Sequence, residues 1–175
     1  MKAMKARLVV ALCGLFLGLV VSPAEGREAR EFATNIDPQA FSDGLPHVLN
    51  LTGVVGNDRI VIQSPNLGED EHIIIWFAAE CAVAAGDTRT WVDIDILVNN
   101  FVMSPTDENN AFCTSNGTNA LSWVSAATHG AFVDVVHTKV AAGSYEIQVR
   151  GKLQHFNQGE RWTIDDLSLI VFIGW

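Results

Sequence analysis

Along most of this chain, hydrophobic and polar residues alternate with a period of two. The cleanest run is GSYEIQVRGKL, which starts at Gly143. Tyr145, Ile147, Val149 and Leu153 fall on one face, and Glu146, Gln148, Arg150 and Lys152 on the other. Successive side chains of a strand point to opposite faces, so this pattern predicts a half-buried β-strand. WVDIDILV, from Trp91, reads the same way, with Val92, Ile94, Ile96 and Val98 inward and Trp91, Asp93, Asp95 and Leu97 outward. HVLNLTGVV from His47, RIVIQ from Arg59, ALSWVSA from Ala120, AFVDVVHTKV from Ala131 and RWTID from Arg161 are further strands.

Two runs are apolar on both faces: HIIIWFAAEC, from His72, and LSLIVFIGW at the C-terminal end. Such strands are central or covered by another element. Turn residues separate the runs, at Gly56, Ser64, Ala84, Ala141 and Asn157. Short strands at this spacing, with no helical stripe, predict an antiparallel sandwich or barrel. Residues 26–32, GREAREF, read either as a short helix or as a loose terminus. Trp123 and Trp162 alternate in phase with apolar neighbours and are expected in the core.

The beginning of the chain has a different character. Lys2, Lys5 and Arg7 precede an apolar run from Leu8 to Val21, followed by the small residues of Ser22, Pro23 and Ala24. This is the layout of a cleaved secretory signal peptide over residues 1–24. The remaining residues, 25–175, suit a single domain. Removing that leader leaves 8 basic against 20 acidic side chains, a net charge of −12. Nucleic acid is then an unsuitable partner, because phosphate binding needs a basic surface. The processed chain is expected to be secreted or periplasmic and not to span a membrane.

Two cysteines remain after processing, Cys81 and Cys113. In an exported chain an even pair is most simply a disulfide. The longest connection, residues 99–119, carries Cys113 and an acidic, Asn-rich tip. Long connections of this kind are often functional.

The segment LSWVSAATHGAFVDVVHTKVAAGSYEIQVRGKL, followed by WTIDDLSLIVF, resembles the C-terminal half of secreted jelly-roll domains. In layout it is similar to C1q- and TNF-type heads. The resemblance is architectural and covers residues 121–172. It implies a jelly-roll, a trimeric assembly and a binding role, and it assigns no residue a function. The terminal Trp175 also resembles the end of an outer-membrane barrel, but the chain has one Tyr where such barrels carry aromatic girdles. The fold expected is therefore all-β: an antiparallel jelly-roll-like β-sandwich after a signal peptide.

Three sets of residues are candidates for function. Trp91, Asp93 and Asp95 share one strand face, with successive members about 7 Å apart. With Asp107, Glu108, Asn109 and Asn110 of the long connection they form a candidate ligand site, an aromatic ring beside carboxylates being a common way to hold a saccharide. The ordinary reading of the same residues is a solvated strand face whose charges block edge pairing. Ile74, Trp76, Ile170 and Phe172 lie outward on the doubly apolar strands and form a candidate subunit interface.

No catalytic residue is assigned. The chain has no Gly-rich phosphate loop, no Gly-x-Ser-x-Gly elbow and no Cys-His-Asn set. Glycoside cleavage by Asp93 and Asp95 stays open as the enzymatic alternative. No cofactor is expected. Calcium is the one metal left open, since Asp107–Asn110, Asp165, Asp166 and Glu69–Glu71 supply hard oxygen ligands. His47, His72, His129, His137 and His155 lack zinc spacing. A saccharide, a protein partner or a homo-oligomer remains in view.

Overall fold

The computed structural model describes residues 28–52, 58–64, 72–103, 111–132 and 143–174. These form β1 (Glu28–Asn35), β2 (Gln39–Phe41), β3 (His47–Val48), β4 (Ile60–Ser64), β5 (His72–Ala84), β6 (Trp91–Val98), β7 (Phe101–Val102), β8 (Cys113–Thr114), β9 (Ser122–Phe132), β10 (Gly143–Gln154) and β11 (Arg161–Gly174). The segment considered as a helix or a loose terminus is the start of β1, which pairs with β11 from Glu28 to Asn35. Its extended form is imposed by a neighbour far along the chain, which local propensity does not register.

The strands build two sheets. The first runs β1-β11-β5-β9, with β2 also on β11; the second runs β3-β10-β6-β7, with β4 also on β10 and β8 on β6. Every pairing is antiparallel. Taking β3 with β4 and β7 with β8, the first strand lies beside the last in one sheet. The second lies beside the next-to-last in the other. This is the strand order of a jelly-roll sandwich. The doubly apolar strands β5 and β11 are the two central strands of the first sheet, as their composition requires.

The core lies between the sheets. Ile73, Ile75, Phe77, Cys81 and Val83 of β5 face Val92, Ile96 and Val98 of β6 and Ile147, Val149 and Leu153 of β10, all buried. The disulfide Cys81–Cys113 joins β5 to β8, so it crosses from one sheet to the other; its Cα atoms are 6.0 Å apart. Gly151 of β10 supplies another contact across the sandwich. A Cβ there would lie 2.4 Å from Cη2 of Trp162, so only a residue without a side chain lets the buried indole seat against the opposite sheet. Gly130 of β9 makes a similar allowance for Met103, whose Cβ would be 2.7 Å from an added methyl.

Trp162 is fully buried, but Trp123 is 45% exposed. It pairs with Ala82 and so lies on the outer parity of the first sheet. Its alternation with apolar residues is real. The inward set of β9 is Ala126 and its in-phase neighbours, one residue away, and a slip of one reverses the face.

Candidate functional site

On the second sheet, β6 and β10 pair so that Trp91 faces Gln154, Asp93 faces Lys152 and Asp95 faces Arg150. The outward face of WVDIDILV is thus laid against a row of polar and basic groups. Arg150 donates from Nη2 to Asp95 Oδ2 at 2.6 Å and from Nε to the same oxygen at 3.2 Å. Gln154 Nε2 donates to Asp93 Oδ2 at 3.1 Å. Half-burial pushes the Asp93 carboxyl above its ordinary pKa, an effect that the Gln154 hydrogen bond opposes and the neighbouring Asp95 charge reinforces. Each carboxylate is therefore engaged across the strand pair, as opposite charges on facing strands are in an ordinary sheet.

The Trp91 indole packs on the imidazole of His155, with ring centroids 4.8 Å apart. His155 opens the connection from β10 to β11 with φ of 55°. This connection lies beside the one from β5 to β6, and together they wall a cleft of about 330 Å³ lined by Asp87, Arg89, His155, Phe156 and Asn157. Arg89 grips Asp87 twice: Nη2 to Oδ2 at 2.7 Å and Nε to both carboxylate oxygens at 3.1 and 3.2 Å. The Arg89 backbone N–H donates to Asp87 Oδ1 at 2.8 Å. These bonds hold the Asp87 carboxyl down at about 2.

Glu160 fixes the other wall. It is 6% exposed, and its carboxylate accepts from the Asn157 backbone N–H at 2.6 Å and from the Asn157 side-chain amide at 3.2 Å. The Asn157 amide also donates to the His155 carbonyl at 3.3 Å. Sequence reasoning missed this cluster. Its members lie on turns some 70 residues apart, and only the strand order brings the turns together. The local signal available was the acid–Gly–aromatic-poor turn chemistry of NQGE and AAGD, which predicts turns and not their proximity.

The outer face of the first sheet carries the other candidate set. Trp76 faces Ile170 and Ile74 faces Phe172 across β5 and β11, so these four residues form one block. Trp76 is 49% exposed. Beyond the bulge between Asp165 and Ser168 the same face turns acidic, with Glu80 opposite Asp165. The bulge has Asp166 at φ 48°, its N–H donating to Asp165 Oδ1 at 2.8 Å. Asp165 and Asp166 thus shape a bend.

Asp107, Glu108, Asn109 and Asn110 lie outside the described residues, as do Glu69, Asp70, Glu71 and the leader. Among the described residues, no group of three His, Cys, Asp or Glu side chains converges as metal ligands. Among them also, no helix is long and apolar enough to cross a membrane.

No family model and no curated protein matches this chain. Among solved structures it is similar to dimeric latent PorU from Porphyromonas gingivalis, at 9% sequence identity and a TM-score of 0.36. The match covers 85% of this chain and 13% of that one, so the chain spans a small part of that protein's length and the likeness carries no argument about function.

Proposed function

We propose that this chain is an exported, non-enzymatic β-sandwich with a binding or structural role, and that it assembles with copies of itself through the outer face of the first sheet. The observation that carries the reading is the block formed by Ile74, Trp76, Ile170 and Phe172. Trp76 is half-exposed and the other three are partly buried, and an apolar block on a sheet face with an acidic pair, Glu80 and Asp165, at one end resembles an interface core beside a polar rim. With a net charge of −12 after processing, two copies repel at long range, so contact between them needs apolar burial to offset the repulsion. Export is supported by the leader-like start and by the disulfide Cys81–Cys113 between the sheets. A trimer is the assembly that the resemblance to C1q- and TNF-type heads implies.

The cross-strand engagement of Asp93 and Asp95 supports a structural use of both carboxylates. The saccharide reading keeps one specific support: the indole of Trp91, beside the polar cleft at the sandwich end. Light scattering of the exported protein separates the readings. The wild type is expected to have the mass of an oligomer and Trp76→Ser that of a single chain. A wild type that stays monomeric at every concentration removes the assembly proposal.

A further inference from the structure

We infer that the cleft between the β5–β6 and β10–β11 turns is a binding site for a neutral, polyhydroxylated ligand, a mono- or disaccharide. The inference rests on the saccharide reading and does not depend on self-association. It moves the site from the face of WVDIDILV to the adjoining turns.

The cleft has a volume of about 330 Å³, at the lower end of small-molecule sites. Its walls are one ion pair, an imidazole, an amide and one phenyl ring. Four of the five lining residues are polar, which disfavours a hydrocarbon ligand. An anion is disfavoured as well, because Arg89 is already matched by Asp87, a carboxylate kept ionised down to about pH 2. What the walls offer together is a mixed set of donors and acceptors. Arg89 keeps Nη1 clear of its bonds to Asp87, which use Nε and Nη2. Asn157 spends its NH₂ on Glu160 and on the His155 carbonyl, which leaves its amide oxygen to accept. Vicinal hydroxyls both donate and accept, so they suit such a pair of groups. The rings of Phe156 and His155 supply flat surface for the apolar face of a sugar.

The walls are also held before any ligand arrives. Asp87 and Arg89 lock the first turn through backbone and side chain, and Glu160 with Asn157 locks the second. His155 is further braced by Trp91. A pre-formed site avoids the ordering cost that a loose pair of loops would carry on binding.

The test is titration of the exported, oxidised protein with glucose, galactose, mannose, N-acetylglucosamine and their β-linked disaccharides, followed by calorimetry and by saturation-transfer NMR, with sulfate as the anionic control. At least one neutral sugar is expected to bind saturably. Arg89→Ala and Asn157→Ala should each weaken it by about tenfold, the effect of losing one well-placed hydrogen-bonding group to ligand. Arg89→Lys should fall between. Arg89 is largely exposed, so loss of its pair with Asp87 should move the unfolding curve only slightly and leave the protein folded. Binding that survives both Ala variants but is lost in Trp91→Ala and Asp95→Asn would overturn the cleft and leave the strand face as the sugar site. No binding across the panel would overturn both. Binding of sulfate in preference to every sugar would overturn the assigned ligand class.

Discussion

Gly151→Ala tests the packing that fixes the two sheets against each other. The backbone of Gly151 is ordinary strand, since only Gly117 and Gly159 have positive φ among the described glycines. On backbone grounds alone, replacing such a glycine by alanine reduces the entropy of the unfolded chain and stabilises by about 0.4–1 kcal/mol. The structure reverses that sign. The new methyl would lie 2.4, 3.0 and 3.2 Å from Cη2, Cζ3 and Cζ2 of Trp162. Carbon–carbon contacts are comfortable near 3.5 Å, so the indole or the strand must shift by about 1 Å. The indole cannot swing freely, because it is fully buried and stacks on Phe41 with centroids 4.4 Å apart. Overpacking of this kind costs about 1–3 kcal/mol, which exceeds the entropic gain. A net loss of about 1.3 kcal/mol is expected, or about 3–5 °C in Tm for a chain of this size. Urea unfolding followed by circular dichroism measures it. Trp162→Phe shortens the ring that blocks the methyl, so alanine at 151 should cost at least about 1 kcal/mol less in that background. A neutral or stabilising Gly151→Ala, or the same cost in both backgrounds, would refute the packing argument.

Three further outcomes follow from the same structure. Reducing Cys81–Cys113 frees a loop closed at a separation of 32 residues, and chain entropy puts the loss at about 3.7 kcal/mol, read from oxidised and reduced urea curves; a loss under about 1 kcal/mol would contradict a cross-sheet constraint on the unfolded chain. Asp95→Asn removes an ion pair with Arg150 that is one-third exposed on both sides and should cost less than about 1 kcal/mol, so a much larger loss would mean that Asp95 does more than pair across the strands. Asp87 has its pKa lowered from 3.8 to about 2, so its contribution is present above pH 3.8 and fades as pH falls toward 2; Asp87→Asn should flatten the stability profile between those values and leave its slope from pH 5 to 7 unchanged, and an unaltered acid limb would show that the Asp87–Arg89 clamp is not formed.

The alternating runs were legible because burial on one face dictates them. In β10, Tyr145, Ile147, Val149 and Leu153 are the inward set, and each is buried. The central places of β5 and β11 were legible for the complementary reason, since a strand with apolar residues on both faces needs neighbours and cover. Edges were harder. Trp123 sits on β9 at the margin of the first sheet, where one face has little above it and pattern does not fix burial. The Asn99–Asn100 pair falls within the stretch expected as one long connection. It is a two-residue hairpin between β6 and β7, with φ of 49° and 67° and Val98 paired to Phe101. Consecutive Asn residues tolerate positive φ, so the hairpin signal was present in the sequence. The cleft was not legible at all. Asp87, Arg89, His155 and Asn157 belong to turns whose meeting is decided by the order of strands in space, and each turn by itself is an ordinary one.

Self-association is proposed for the apolar block on the outer face of the first sheet. Sedimentation equilibrium of the exported, oxidised protein over a wide concentration range tests it most directly, with Trp76→Ser and Ile170→Ser run beside it. The wild type is expected to self-associate reversibly and both variants more weakly; Trp76→Ser should unfold close to the wild type because Trp76 is half-exposed, while Ile170→Ser, at a partly buried position, should stay folded with some loss of stability. A wild type that remains a single chain throughout, or variants that associate as strongly as the wild type, would contradict it.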